Sequence, residues 1–454
     1  RLHGMTIQHE YIDRHISGKT DDRGAFQQMI AIMAATLLVP LLVTSYGLQA
    51  DAAAALFGAG IGTIVYLFCT KRRSPVFLGS SFAFLGSMSA AFAGAATAEA
   101  GFAGIIIGAA FAGLVYVLIA IIVKFAGVRW INKLMPAVII GPTVAIIGLS
   151  LAGNAVSDAI SIAKTDGGVF QMNLHGWLCL ICALVTLAVV TVCSVYGKKM
   201  AKLIPFVIGI VAGYLVATVF TVIGNATGNE AMIIIDFSRF ANMQWYPDFT
   251  FIKAAKGLSE INGQYIATIA VAYVPVAFVV FAEHIADHKN LSSIIGHELL
   301  EEPGLHRTLL GDGVGSIVGA IFGGCPNTTY GESVGCVAIT GNASVYTIFT
   351  TAILAIIASF FAPFVTFLAT IPSCVMGGVC ITLYGFIAVS GLKMIQKIDL
   401  GDNHNLFVVS VILITGIGGM SIGIGPVTIT EVASALILGI LTNLLLSGKK
   451  KDEK

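Results

Sequence analysis

Between residues 333 and 392 the chain carries no charged residue at all. At about 20 apolar residues per helical span, that run is long enough for nearly three crossings of a bilayer. Comparable uncharged runs cover residues 24–50, 52–70, 74–98, 100–123, 134–157, 172–197 and 203–229. After a polar stretch, more follow at 261–282, 308–331 (broken only by Asp312), 403–430 and 432–448. Only 11% of the 454 residues are charged and 57% are apolar, where soluble proteins average roughly a quarter charged. The pattern predicts an all-α polytopic membrane protein with 14 transmembrane segments. The expected organisation is an N-terminal arm over 1–23, seven segments over 24–229 and an extracytoplasmic connection over 230–260. Seven further segments over 261–448 and a tail over 449–454 complete it. The arm is polar through Arg23, so the first span is expected to direct its own insertion.

Charge placement tests this layout independently, because cytoplasmic connections collect Lys and Arg. Basic residues fall in the arm (Arg1, Arg14, Lys19, Arg23), then at Lys71, Arg72 and Arg73, at Lys124, Arg129 and Lys133, and at Lys198, Lys199 and Lys202. Every second connection is basic. The alternation continues through Lys289, Arg307, Lys393 and Lys397 to the C-terminal lysines; only Lys164, Arg239, Lys253 and Lys256 of the 25 break it. Both termini are therefore expected in the cytoplasm, with the chain in the inner membrane. A net charge of +1 leaves no electrostatic footprint for nucleic acid. Cys179 and Cys182 form a C-x-x-C inside an apolar run with no ligand set nearby, so packing is expected there and no metal site.

Two motifs recur seven spans apart. Gly58-Ala-Gly60-Ile-Gly62-Thr-Ile64-Val65 is echoed by Gly311-Asp-Gly313-Val-Gly315-Ser-Ile317-Val318, and Met135-Pro136 with Gly141 by Ile371-Pro372 with Gly377. An odd number of spans per half would set the halves in opposite orientations, an inverted repeat. Ordinary small-residue helix packing would produce the same glycines. Spans three and ten, at matched positions, are the least helix-like: Leu78-Gly79-Ser80-Ser81-Phe82-Ala83-Phe84 and Gly323-Gly324-Cys325-Pro326-Asn327-Thr328-Thr329-Tyr330-Gly331-Glu332. Non-helical backbone at membrane depth must be buried in protein or line a cavity, which makes paired interruptions a pointer to a binding site.

Acids within the spans point the same way. Glu283 and Asp287, four residues apart, share one face of span eight and could together carry a proton. Glu332 sits in the interruption of span ten. Asp312 and Glu431 read as structural, and His284 and His288 as polar or capping groups.

These motifs carry a resemblance. Phe281-Ala-Glu283-His284-Ile-Ala-Asp287-His288, then Pro303-Gly-Leu-His306-Arg307, then Pro326-Asn327-Thr328-Thr329-Tyr330-Gly331-Glu332 with Ala338-Ile339-Thr340, resemble the nucleobase–ascorbate transporter (nucleobase:cation symporter-2) family, and within it the bacterial uracil permeases. The resemblance implies a secondary active transporter and no enzyme. It would import a nucleobase, uracil before a xanthine-type purine, with a proton as coupling ion and no other cofactor. It also implies 14 segments in two inverted sets of seven and short strands within segments 3 and 10. A core domain would cover about 24–133 and 261–345, and a gate domain about 134–229 and 346–448, through which relatives often form homodimers. Carried over by residue, Glu283 and Glu332 would accept hydrogen bonds from the base, Phe82 and Gly331 would donate backbone N–H groups, and the Phe82 and Tyr330 rings would border it. Glu283 and Asp287 would couple the proton.

Three positions depart from the family pattern. Asp287 stands where uracil members can have His and purine members often have Asp, Ser333 where Asn usually follows the acid, and Gln27-Gln28 where Gln-His is common. Two rival readings accompany this one. An anion carrier of the same architecture would be expected to present positive groups where this chain has acids, and a membrane-embedded enzyme would need more than His297-Glu298-Leu-Leu-Glu301, which lacks the second His of a zinc motif.

Overall fold

The computed structural model describes isolated helical positions between residues 25 and 43, and residues 50–447 apart from 128–135, 166, 199, 341 and 425–426. The chain is mostly helical, with two small antiparallel strand pairs among the described residues. In order, the elements are α1 (Ala52–Cys69), β1 (Leu78–Ser80), α2 (Leu85–Ala93), α3 (Ala98–Ala126), α4 (Ala137–Ser150), α5 (Ala152–Ile160), α6 (Leu174–Tyr196) and α7 (Pro205–Thr227). There follow α8 (Thr250–Gly257), α9 (Gly263–Ile295), α10 (Leu305–Gly323), β2 (Asn327–Thr329), α11 (Gly331–Thr340), α12 (Val345–Ala358), α13 (Ala362–Ala369) and α14 (Ser373–Ile395). The chain ends in α15 (Asn403–Ile417), the hairpin β3 (Ile422–Ile424) and β4 (Val427–Ile429), and α16 (Glu431–Ser447).

Among the described residues, seven helices are long and apolar enough to cross a membrane: α1, α3, the run α4–α5, α6, α7, α9 and α14. The pair α12 and α13, bent by 82°, makes an eighth if counted as one span. Polar side chains mark where several of these helices begin. Asp51, Thr97, Asn173, Asn262 and Ser344 each accept a hydrogen bond from an amide in the first turn that has no helical partner.

The chain divides into two compact units. One comprises Arg1–Ile147, Pro247–Ser359 and Val389–Lys454, the other Gly148–Tyr246 and Phe360–Ala388. In the second unit α6 and α7 pack along small residues, and the Tyr214 hydroxyl bonds that of Thr370 at 2.9 Å. In the first unit the glycines of the two recurring motifs touch one another directly. A Cβ on Gly62 of α1 would lie 2.9 Å from the Gly315 carbonyl oxygen of α10, and one on Gly315 3.1 Å from that of Gly62. Gly113 of α3 and Gly313 of α10 make the same reciprocal contact at 2.7 and 2.9 Å. Neither seam has room for a methyl group, so three helices meet backbone to backbone.

The expected short strands are present, and β1 pairs with β2 in the register Leu78 with Thr329, Gly79 with Thr328 and Ser80 with Asn327. The run at 403–430 differs from its expectation as one span. The helix stops at Ile417, Gly419 adopts φ +67°, and the glycine-rich remainder turns into the β3–β4 hairpin. Frequent glycine and β-branched residues after Thr415 favour an extended ribbon there over continued helix.

Valine at Gly62 or Gly313 is expected to cost about 1–3 kcal/mol in denaturant unfolding of the purified protein, because rigid backbone stands where the side chain must go. Gly263→Ala, where a Cβ meets nothing within 4 Å, is the reference and is expected to be neutral or slightly stabilising.

Candidate functional site

The strand pair is the centre of the site because it lets two interrupted helices begin deep inside the first unit. Each strand runs into the start of a half-helix: β1 into a turn at Phe82–Phe84 and then α2, β2 through Tyr330 into α11. Ser81 N–H donates to Pro326 O at 2.9 Å, carrying the pairing one step further. Non-helical backbone needs partners from its surroundings, and they are supplied. Leu78 N–H donates to Thr63 Oγ1 at 2.9 Å, and the Asn327 side-chain amide donates to Gly58 O at 3.0 Å. A Cβ on Gly62 or Gly319 would collide with the Asn327 side chain, so the helix seam also forms the slot that holds β2.

The half-helix α2 is fastened to α9. Ser87 Oγ donates to Ala272 O at 2.7 Å, Tyr265 Oη to Ala91 O at 2.6 Å, and Phe84 stacks on Tyr273 with ring centroids 5.5 Å apart. Phe82 is 9% exposed and lies in the turn that packs against α9. The Tyr330 ring lies against Gly79, where even one methyl group would strike it, and its hydroxyl donates to Ser80 O at 2.8 Å. Tyr330 is thereby fixed against β1.

Helix α9 presents two stripes of polar side chains. Glu283 and Asp287, both half-buried, occupy one. Asp287 Oδ2 accepts from Thr329 Oγ1 at 3.4 Å, and Oδ1 lies 3.7 Å from where a Gly331 Cβ would stand. A carboxylate therefore meets the junction of β2 and α11, where the helix's first amides and positive dipole end lie. Glu332 begins α11 beside Gly331, and its side chain falls outside the described residues.

The second stripe, His284 and His288, is wholly buried, with rings stacked at 4.1 Å. His288 Nδ1–H donates to His284 O at 2.9 Å, so Nε2 of the neutral ring accepts from the Tyr66 hydroxyl at 2.7 Å, and Tyr66 in turn lies 2.7 Å from Ser74 Oγ. His284 Nε2 meets Thr308 Oγ1 at 2.9 Å, and the Thr308 hydroxyl proton is directed to Leu305 O, so the imidazole donates. His284 Nδ1 then shares one proton with Asp312 Oδ2 at 2.8 Å. The pair has no net charge whichever atom holds that proton, which lowers the cost of burying it. Asp312 thus bonds across a helix pair, as its reading as structural implies. The extent of the histidine network had no signal in the spacing, since Tyr66 and Ser74 lie over 200 positions away.

Two departures from the family pattern touch each other. Gln28 Nε2 donates to Ser333 Oγ at 2.9 Å, and Phe77 N–H donates to the same oxygen at 3.2 Å. His297 and Glu298 serve the connection after α9: His297 Nε2 meets Glu302 O at 3.0 Å and Glu298 Oε1 accepts from Leu300 N–H. Burial and the Arg73 charge hold the His297 imidazole below its ordinary range. Glu431 begins α16 and accepts from Ser421 Oγ at 3.3 Å.

Apolar spans around a paired interruption define an integral membrane protein of the transporter class. The chain belongs to the Permease family, whose pattern matches residues 23–424, in agreement with the resemblance carried by the span-eight and span-ten motifs. It is similar to the uracil permease of Bacillus caldolyticus, 40% identical over 430 residues that cover 94% of this chain and 91% of the relative. The uracil permease of Escherichia coli K12 is 34% identical over 424 residues, 93% of this chain and 90% of its own. These relatives are permeases, and the chain is a transporter, not an enzyme. Among solved structures, the transmembrane domain of the cyanobacterium bicarbonate transporter BicA aligns with TM-score 0.62 at 15% identity, covering 93% of this chain and 96% of that one. The murine Slc26a9 anion transporter in its inward-facing state aligns with TM-score 0.67 at 10% identity, over 94% and 68%. At such identities the likeness concerns the fold alone.

Asp312→Ala and His284→Ala are each expected to destabilise the purified protein by about 1–3 kcal/mol, because each leaves a buried polar group without its partner. The double variant should cost clearly less than the sum of the two, read by unfolding in detergent as a double-mutant cycle. Additive losses would mean that the pair does not act as a unit.

Proposed function

We propose that this chain imports a nucleobase, with uracil as its substrate, by proton symport and alternating access across the inner membrane. The observation that carries the reading is the meeting of Asp287 with Thr329 and Gly331, which sets an acid of α9 at the start of an interrupted helix. The names of the relatives supply the substrate class: the two quoted above are uracil permeases. Uracil is a flat ring edged by two N–H donors and two carbonyl acceptors, so it calls for carboxylates, backbone amides and an aromatic wall. In this reading Glu283 and Glu332 accept from the ring N–H groups, while Phe82 and Gly331 donate backbone N–H groups. The Phe82 and Tyr330 rings border the base, Tyr330 being held by its bond to Ser80 O.

Glu283, coupled to Asp287, takes the proton before the base binds. A neutral base moving with one proton draws about 2.3 kcal/mol per 100 mV, enough for nearly fiftyfold accumulation. The same reading places both termini in the cytoplasm and 14 segments in two inverted sets of seven, the matched strands β1 and β2 marking corresponding interruptions. A purine substrate of xanthine type is the second reading, favoured by the acid at position 287.

Glu283→Gln is expected to abolish uptake driven by the proton gradient in energised vesicles, whereas accumulation at the wild-type level, with the same sensitivity to a protonophore, would remove Glu283 from the mechanism. In a thermal-shift panel of pyrimidines and purines, uracil should raise the apparent stability of the wild type by mass action. Glu332→Ala should lose that shift. A shift with xanthine and none with uracil would move the assignment to the purine reading.

A further inference from the structure

Where α1 ends and α12 begins, the first unit holds a crevice of about 100 Å³ lined by Leu67, Phe68, Val345, Tyr346, Phe349 and Arg72. Leu67 and Val345 form its buried floor, Phe68 and Phe349 stand exposed at its sides, and Arg72 is the one charged residue in the lining. The backbone turns sharply to put it there. Lys71 and Arg72 both adopt left-handed conformations, φ +54° and +56°, which cost energy for residues with a Cβ. In exchange, Lys71 N–H bonds Phe68 O and Arg72 N–H bonds Leu67 O, folding the chain back over the helix end. The Arg72 guanidinium then sits 5.3 Å from the centre of the Phe68 ring.

Two neighbouring cations have partners. Arg73 pairs with Glu302, and Arg307 donates to Cys69 O at the end of α1. Among the described residues, no carboxylate pairs with Arg72 and no carbonyl takes a hydrogen bond from its side chain. A strained turn thus holds a guanidinium that meets an aromatic ring and, among the described residues, no carboxylate, at the mouth of an apolar crevice on the surface of a membrane protein. The Lys71-Arg72-Arg73 cluster belongs to the face expected in the cytoplasm, where the leaflet carries anionic lipids. We propose that the crevice binds one anionic phospholipid, with its phosphate on Arg72 and an acyl chain along Leu67, Phe68, Val345 and Phe349. A phosphate offers the planar guanidinium two acceptor oxygens, and the chain fills a groove that water would wet poorly. The site is independent of the transported substrate.

Native mass spectrometry of the purified full chain, exposed to equal amounts of phosphatidylglycerol and phosphatidylcholine with identical acyl chains, tests the assignment. The wild type is expected to retain phosphatidylglycerol over phosphatidylcholine by about fivefold, the scale of one basic residue at a membrane surface. Arg72→Gln should bring the two lipids to parity while eluting as the wild type does on gel filtration. Val345→Trp, which fills the crevice, should lower retention of both lipids, and Phe349→Ala, which removes one wall without adding bulk, should do so as well. Inorganic phosphate should not displace the bound lipid. Equal retention by the wild type, a preference that survives Arg72→Gln, unchanged retention in both crevice variants, or displacement by phosphate alone would each overturn the proposal.

Discussion

A peptide group that leaves a helix inside hydrocarbon must find its hydrogen bond in the protein, and the site is built around meeting that demand. Two segments leave their helices, and they meet it by pairing with each other as β1 and β2. The remaining groups draw on the flanking helices: Thr63 serves Leu78, and Asn327 reaches across to the Gly58 carbonyl. That second bond requires α1 and α10 to touch without side chains between them. The glycine seam is therefore more than close packing, because a wider spacing would pull Gly58 away from Asn327 and leave β2 without its anchor. Interrupted helices, strand pair and seam stand together as one device.

Helix α9 is held against that device by its histidines. A helix bearing polar groups on adjacent stripes can fix one and expose the other, since residues four apart rise on nearly the same line. His284 ties α9 to α10 through Asp312 and Thr308, and His288 ties it to α1 through Tyr66. With that stripe anchored, rotation of α9 about its axis is restricted and the acids at 283 and 287 are aimed by default. In the proposed symport, positioning of this kind suits a group that binds and releases a proton in place, because its neighbours supply the rigidity.

How much of this was legible depended on whether the cause was local. The interruptions at 78–84 and 323–332 announced themselves by composition, and the structure puts strands in both. The recurring glycine motifs were also visible, but their mutual contact was not, because periodicity names a face of a helix and not the helix it meets. The hairpin at 422–429 was hidden by hydropathy, which scores glycine and isoleucine as readily in a strand as in a span. Gln28 and Ser333 stood out singly as departures, yet only folding brings residues so distant in sequence to 2.9 Å. That contact gives the two changes one physical meaning: a side-chain amide spans to a short hydroxyl, which also caps the Phe77 amide. The histidine network escaped for the same reason, being assembled from α1, α9, α10 and the segment at Ser74.

The commitments of the histidines bear on where a mobile proton can sit. All four imidazole nitrogens of His284 and His288 have partners, between 2.7 and 2.9 Å away. A proton added to His288 Nε2 would turn the Tyr66 hydroxyl from donor to acceptor while Nδ1–H keeps the His284 carbonyl, and the resulting charge would lie stacked on a second imidazole in a low-dielectric interior. The carboxylates of the acid stripe are half-buried, and Asp287 is met by a threonine hydroxyl that can keep its bond by turning from donor to acceptor. A proton arriving at Asp287 would convert the oxygen facing Thr329 from acceptor to donor and leave the contact intact. Within the proposed symport, this favours the acids as carriers of the proton and the histidines as fixed supports.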